Sequence, residues 1–148
     1  MVERKMSPNS LENLKKSNQE ANAITRESLE ISLLQLLERK SLSKITISEL
    51  VHRAGVSRSA FYRNYSSKEE ILETIFKRSI QRMLAPLSQY SKKADLYLIW
   101  LSLFKAAKKE AYVISLAVDY GMEKLLEQAI FDFLEKRNEA KQKKWELI

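Results

Sequence analysis

The sequence predicts an all-α protein, and two observations support this. The 148-residue chain has only two glycines and two prolines, while 45% of its residues are hydrophobic, so few positions interrupt a helix. Apolar residues also recur at spacings of three and four over most of the chain, which is the period of an amphipathic helix. We expect a flexible N-terminal arm at 1–16, a three-helix head at 17–66 and a helical body at 67–148.

The first helix is expected to begin between Ser17 and Thr25 and to continue to about Lys40. The polar residues 1–16 before it have no apolar period, and they are interpreted either as a plain tail or as an arm that enters the minor groove of DNA. The helix has a broad apolar face, which suits packing against two partners. That face consists of Leu29, Ile31, Leu33, Leu34, Leu36 and Leu37.

Two short helices joined by a tight turn are predicted next. Thr46 and Glu49 have the spacing of a capping box, so a helix should open there. Gly55 follows its last apolar residues and suits a turn with positive φ. Ser57 can cap a second helix over residues 58–64. The spacing is that of a helix-turn-helix.

The second short helix has an apolar inner face and a polar outer face. Ala60 and Phe61 are expected to point inwards. Five outward residues can donate or accept hydrogen bonds at base edges and phosphates: Arg58, Ser59, Tyr62, Arg63 and Asn64. A helical hairpin with a solvated polar face is the alternative interpretation.

A long helix should follow at once. Ser67 and Glu70 form a second capping box, and the apolar period continues until Pro86 ends it. Lys68 lies in the first turn, where free backbone N–H groups and its own charge make a phosphate-binding corner. The alternative is an ordinary surface lysine.

The segment ITISELVHRAGVSRSAFYRNYSSKEEIL, residues 45–72, resembles the N-terminal signature of TetR-type transcriptional repressors. The resemblance covers roughly residues 22–75. Matching positions are Ile47, Leu50, Ala54, Gly55, Val56, Ser57, Phe61, Tyr62, Ser67, Lys68, Glu69 and Ile71. The departures are His52 where the family usually has Ala, Asn64 where it has His or Tyr, and Tyr65 where it has Phe.

The resemblance implies a sequence-specific regulator of transcription, most often a repressor released by a small-molecule effector. It also implies a homodimer, and one small recognition helix per subunit requires a palindromic operator in double-stranded DNA. Arg58 and Ser59 are the expected base contacts, and Thr46 and Lys68 the expected phosphate contacts. The candidate DNA-binding residues are Thr46, Ser57, Arg58, Ser59, Tyr62, Arg63, Asn64 and Lys68.

Three helices are predicted in the rest of the body. Residues 96–109 are apolar almost all round and should be buried, and a helix over about 110–120 should stop at Gly121. The last helix begins near Met122 and carries an apolar stripe, expected to cover residues 96–104. The resemblance implies that this body binds ligand and dimerises. The residues expected to meet a second subunit are Phe131, Trp145, Leu147 and Ile148.

Aromatic residues gather in the middle of the body. An effector pocket lined by Tyr97, Trp100, Phe104 and Tyr112 is one interpretation. The other is that aromatic residues at helical spacing are simply core.

No catalytic or cofactor motif is present. There is no cysteine, no glycine-rich phosphate loop and one isolated histidine, His52, so neither an enzyme nor a cofactor or metal site is expected. The N-terminus lacks the apolar core of a signal peptide, and residues 96–104 are too few to span a bilayer, so we expect a soluble, cytoplasmic protein with no membrane partner. The net charge of +7 favours a polyanion. A helical adaptor that uses the basic stretch 136–144 for protein or acidic surfaces is the alternative function.

Overall fold

The computed structural model describes residues 7–90 and 95–146, with side chains given except at 134 and 137–146. This part of the chain is helical and contains no strand, which confirms the predicted fold class. Short 3-10 helices at Leu42–Lys44 and Ala85–Gln89 complete the structure. The α-helices are α1 Pro8–Leu37, α2 Ile47–Ala54, α3 Arg58–Asn64, α4 Lys68–Leu84, α5 Leu96–Lys109, α6 Ala111–Asp119 and α7 Glu123–Glu146.

The chain divides into two compact units, and the boundary falls inside α4. One unit ends at Leu72 and the other begins at Glu73, whereas the sequence placed the division before residue 67. None of the helices in the described ranges combines the length and the hydropathy needed to cross a bilayer.

The N-terminal unit is built on α1, which packs against both α2 and α3. Leu29 and Leu33 of α1, Leu50 of α2 and Phe61 of α3 are completely buried at this junction. Burying each of these side chains contributes about 1.5–3 kcal/mol. The short helices are therefore held by α1 and not by their own helix propensity.

The start of α1 differs from the prediction. The Ser7 hydroxyl accepts a hydrogen bond from the Ser10 N–H and Pro8 occupies the first turn, so residues 8–16 are helix and not part of an arm. Residues 7–21 are all exposed, which explains the missing apolar period. The predicted face was also too broad, because Ile31 is 49% exposed. Residues 1–6 of the predicted arm lie outside the described part of the chain.

The core of the C-terminal unit is formed by α4 and α6. Phe76, Ile80 and Met83 of α4 and Ala117 of α6 are buried together. Met122 and the apolar stripe of α7 pack against this cluster, the stripe through Leu125, Leu126 and Ala129. From α5, only Ala106 and Ala107 join the cluster.

The prediction that α5 is buried was wrong. No residue of α5 is buried. The exposed fractions of four of its side chains lie between 51% and 67%: Leu96, Tyr97, Trp100 and Phe104. The stripe of α7 was expected to cover these residues, but it covers α4 and α6 instead. Apolar residues on all sides of a helix indicate that the helix can be buried. They do not identify the neighbouring element that would cover it.

A polar contact joins α4 to the junction of α5 and α6. Glu110 accepts hydrogen bonds from Arg82 Nε at 2.8 Å, Arg82 Nη2 at 3.0 Å and the Ser79 hydroxyl at 2.7 Å. The Arg82 hydrogen bonds lower the pKa of Glu110 from its ordinary value of 4.5; burial opposes this and the Ser79 bond adds to it. Glu110 is therefore an ionised and well-partnered carboxylate at neutral pH.

Candidate nucleic-acid interface

The helix-turn-helix begins with a capped helix, α2. Thr46 Oγ1 accepts a hydrogen bond from the Glu49 N–H at 3.1 Å, as the capping-box spacing predicts. The Glu49 carboxylate pairs with Lys40 Nζ at 2.6 Å instead of returning to the cap. Only half of the predicted box is present, and the Glu49 charge links α2 to the turn that follows α1.

The turn between α2 and α3 has the geometry that its sequence predicts. Gly55 adopts φ 67° and ψ 29° in the left-handed region, and the Val56 N–H donates to the Val51 carbonyl at 3.1 Å. Ser57 then caps α3, because its hydroxyl accepts from the Ala60 N–H at 3.0 Å. Helix α3 spans the predicted residues, Arg58–Asn64.

Helix α3 divides cleanly into a buried and an exposed face. Phe61 is fully buried, and its ring meets that of Tyr62 edge-on with centroids 5.0 Å apart. Arg58, Ser59, Tyr62 and Arg63 are exposed. Arg58 Nη1 lies 3.4 Å from the hydroxyl of Ser48 on α2. The outer surface therefore presents two guanidinium groups, hydroxyls and a phenol on a rigid frame.

Lys68 has a partner inside the protein. Its ammonium donates to the Ile45 carbonyl at 2.6 Å, and the side chain is half-buried. Because Ile45 precedes the cap residue Thr46, the N-termini of α2 and α4 lie at one corner of the unit. An ammonium has three donors, so this bond is compatible with the predicted phosphate contact and adds a structural role to it.

This unit also matches a known family. Residues 33–75 match the family model for bacterial regulatory proteins of the tetR family. The N-terminal unit therefore carries a TetR-type helix-turn-helix domain. Proteins of the tetR family are generally non-enzymatic, DNA-binding regulators of transcription.

A curated relative is similar to a larger part of the chain. The chain is 33% identical over 92 residues to an uncharacterised HTH-type transcriptional regulator, YxbF, of Bacillus subtilis (strain 168). The match covers 62% of the chain but only 23% of that relative. The chain thus spans less than a quarter of the length of this curated relative.

One departure from the family pattern has a structural cause. Tyr65, where the family usually has Phe, donates its hydroxyl to Glu30 Oε1 at 2.8 Å, and both residues are buried. A buried carboxylate requires such donors, so the extra hydroxyl of Tyr65 serves Glu30. The two residues are 35 positions apart, and no local sequence signal connects them.

Asn64, the second departure at this surface, is also engaged within the unit. Its Nδ2 donates to the Ala60 carbonyl at 2.8 Å, and its Oδ1 accepts from Arg26 Nη1 at 3.5 Å. The half-buried amide is therefore less accessible than the exposed side chains of Arg58 and Arg63. Arg26 and Ser48 join this edge of the TetR-family domain, although the sequence did not single them out.

The four aromatic residues predicted to line an effector pocket are exposed. Tyr97, Trp100, Phe104 and Tyr112 lie on the surface of the C-terminal unit, where the Trp100 and Phe104 rings stack with centroids 5.9 Å apart. They line neither of two cavities in this unit. One cavity, of about 400 Å³, lies between α4 and α7; the other, of about 360 Å³, lies beside α5.

His52 does not belong to a metal-binding group in the TetR-family domain. Its side chain is exposed on α2. Among the side chains described within residues 7–90 and 95–146, no group of three or more His, Asp or Glu residues could hold a metal ion.

Proposed function

We propose that this protein regulates transcription by sequence-specific binding of α3 in the major groove of a palindromic operator. The observation that carries the proposal is the exposed face of α3, where Arg58, Ser59, Tyr62 and Arg63 stand on a helix fixed by the Ser57 cap and the buried Phe61. An arginine that opens a recognition helix can bond both acceptors of a guanine. Arg58 and Ser59 are therefore our candidates for base readout.

Phosphate contacts complete the proposed interface. Thr46 and Ser57 lie at the N-termini of α2 and α3, where free backbone N–H groups favour an anion. Lys68 brings a positive charge to the corner beside Thr46 through its bond to Ile45. These contacts would set the position of the protein on the duplex without reading its sequence.

The remaining parts of the proposal follow the family. A symmetric homodimer would present two recognition helices to two half-sites about 34–36 Å apart. The protein would act on DNA in the cytoplasm, most simply as a repressor that a small effector releases. The adaptor alternative relies on residues 136–144, and all of these side chains except that of Lys136 lie outside the described part of the chain.

The experiment is a comparison of two variants on two DNAs. An operator is first selected from random duplexes, and affinities for it and for a scrambled duplex are then measured at several salt concentrations. Arg58→Ala should cost about 1–3 kcal/mol on the operator and little on scrambled DNA, because a base contact is lost. Lys68→Met should weaken binding to both duplexes and reduce the salt slope by about one.

Lys124→Ala serves as the charge control, because Lys124 is exposed on α7. It should leave operator affinity and salt slope close to those of the wild type. Equal losses on both duplexes for Arg58→Ala would assign that residue to the phosphate contacts. If no selected duplex binds more tightly than random DNA, the proposed function is wrong and the adaptor alternative gains support.

A further inference from the structure

The cavity beside α5, in the C-terminal unit, is lined by several charged side chains whose presence the family resemblance does not explain. It measures about 360 Å³ and is bordered by the end of α4, the following 3-10 helix and one face of α5. Its lining consists of Arg82, Pro86, Ser102, Lys105, Ala106, Lys109 and Glu110. It is thus a cavity of ligand size whose wall carries three cationic side chains and one carboxylate.

The charges of this wall do not cancel. Glu110 is matched by Arg82 through two hydrogen bonds and receives a third from Ser79. Lys105 and Lys109 face the same cavity, and neither ammonium makes a hydrogen bond or ion pair with any side chain in the described ranges. Counting three cations and one carboxylate leaves a net charge of +2 in the wall.

The spacing of the two lysines is unfavourable for α5 itself. Lys105 and Lys109 are four residues apart on one helix face, where like charges repel by a few tenths of a kcal/mol. Lys109 lies in the last turn, where a cation interacts well with the helix dipole, but Lys105 does not. An anion between the two ammonium groups would turn this repulsion into attraction.

We propose that this cavity binds a small organic dianion, such as a dicarboxylate or a phosphate monoester. The ammonium groups of Lys105 and Lys109 would hold the two charges, while Arg82 neutralises Glu110 and so reduces its repulsion of the ligand. The half-buried hydroxyl of Ser102 would donate a further hydrogen bond, and Ala106 and Pro86 would pack against a short carbon chain. The role of this cavity as an effector site rests on the proposed function. The binding of a dianion there does not.

The test uses titration calorimetry on the full chain without DNA. Succinate and inorganic phosphate are the probes for the two sources of a dianion, and dimethyl succinate is the neutral control. Succinate or phosphate should bind with a dissociation constant of about 1 mM or below, and dimethyl succinate should not bind. Heat from succinate alone would assign the site to dicarboxylates, and heat from inorganic phosphate alone would assign it to a phosphate group.

A matched pair of variants tests the geometry. Lys105→Ala should weaken binding at least about fivefold, since it removes a charged contact, whereas Lys108→Ala should change it less than about twofold. Lys108 is the control because it is exposed on the same helix and does not line the cavity. Circular dichroism should show equal helicity for both variants.

Three results would overturn the proposal: no binding of either dianion at about 10 mM, equal binding of the dimethyl ester, or equal weakening by both lysine variants. Equal weakening by both lysine variants would show that dianion binding depends on the net charge of the protein and not on this cavity. Because calorimetry needs no DNA, a protein that binds dianion and no operator would refute the regulatory function alone. The reverse result would refute the dianion site alone.

Discussion

At the scale of single residues, Tyr65 shows how one hydroxyl group gives a core residue an additional role in the structure. Its ring lies in the core near Phe61, as a phenylalanine there would, with centroids 6.5 Å apart. Its hydroxyl reaches Glu30 of α1. The pair therefore links the C-terminal end of α3 to α1 through a buried polar contact, and we expect the contributions of the two residues to stability to be coupled.

We expect Tyr65→Phe to lower the free energy of unfolding by about 1.5–3 kcal/mol, because a buried carboxylate loses a donor. Urea denaturation measures this directly. The double variant Glu30→Leu with Tyr65→Phe is the control, and it should recover part of the loss since no acceptor remains to be satisfied. Additive losses in the two single variants would contradict the coupling.

Some residue-scale features could be predicted and others could not. Ser57 capping α3 and Phe61 facing inwards both follow from spacings of three or four residues. The bond from Lys68 to Ile45 spans 23 positions, and that from Tyr65 to Glu30 spans 35. Such long-range bonds depend on how the helices pack, which the local pattern does not encode. The exposed residues of the candidate contact surface were therefore predictable, but the long-range hydrogen bonds that support it were not.

At the scale of elements, the turn at Gly55 sets the path from α2 into α3. A Cβ atom built at this position would meet nothing within 4 Å. The glycine is therefore needed for its positive φ and not for lack of space. Any cost of substitution should come from the backbone alone.

We expect Gly55→Ala to lower the free energy of unfolding by about 1–2 kcal/mol, the cost of the left-handed conformation. Gly55→Asn is the matched control, because asparagine tolerates this region better and should lose clearly less. Thermal or urea denaturation would compare the two. Equal stability of Gly55→Ala and the wild type would mean that the turn adopts another conformation in solution.

A second element-scale prediction concerns the junction of α5 and α6. Since the pKa of Glu110 is lowered in the folded state, the unfolded chain takes up this proton more readily. The Glu110 contact therefore stabilises the protein above pH 4.5, and this contribution is lost as pH falls through the lowered pKa.

Urea denaturation from neutral to acidic pH should show this as a difference between wild type and Glu110→Gln. The wild type should be more stable at neutral pH, by about 1 kcal/mol, and the difference should shrink in acid. Arg82, Lys105 and Lys109 are the charged groups around Glu110 at this cavity. Glu123→Gln, at an exposed position on α7, should leave the pH profile unchanged. A difference that is constant with pH would contradict the ionised contact.

Helix boundaries show which elements the sequence could predict. Thr46, Gly55, Ser57 and Ser67 are local signals, and α2, α3 and α4 begin or end beside them. Helix α1 begins earlier than predicted because its first turns are exposed on all sides and carry no apolar period. The bounds of α5 were predicted while its burial was not, since burial is decided by neighbours.

At the scale of the whole molecule, two apolar surfaces are candidates for contact with a second copy. On α7, Ile130 and Phe131 are exposed; the side chains of Trp145, Leu147 and Ile148, predicted for the same interface, lie outside the described residues. On α5, the exposed aromatic residues form the other surface. A stable dimer needs about 800 Å² from each partner with an apolar centre.

We expect a homodimer through α7 that dissociates on dilution. Light scattering over a concentration series should show Phe131→Asp as a monomer under conditions where the wild type is dimeric, because the charge would be buried in the interface. Lys124→Asp, on the same helix and exposed, should remain dimeric. Dissociation by Trp100→Asp in place of Phe131→Asp would move the interface to α5. A wild-type monomer at tens of micromolar would contradict dimerisation.

The exposed first turns of α1 have a consequence for hydrogen exchange. Residues 8–21 have no side chain buried against the rest of the N-terminal unit. A free helix of this length is only marginally stable in water. Their amide protons should exchange through fraying from the Ser7 end, at a rate set by helix–coil opening. Those near Leu29 and Leu33, which are completely buried, should exchange only when the unit opens. One continuous helix would thus contain two segments of very different protection.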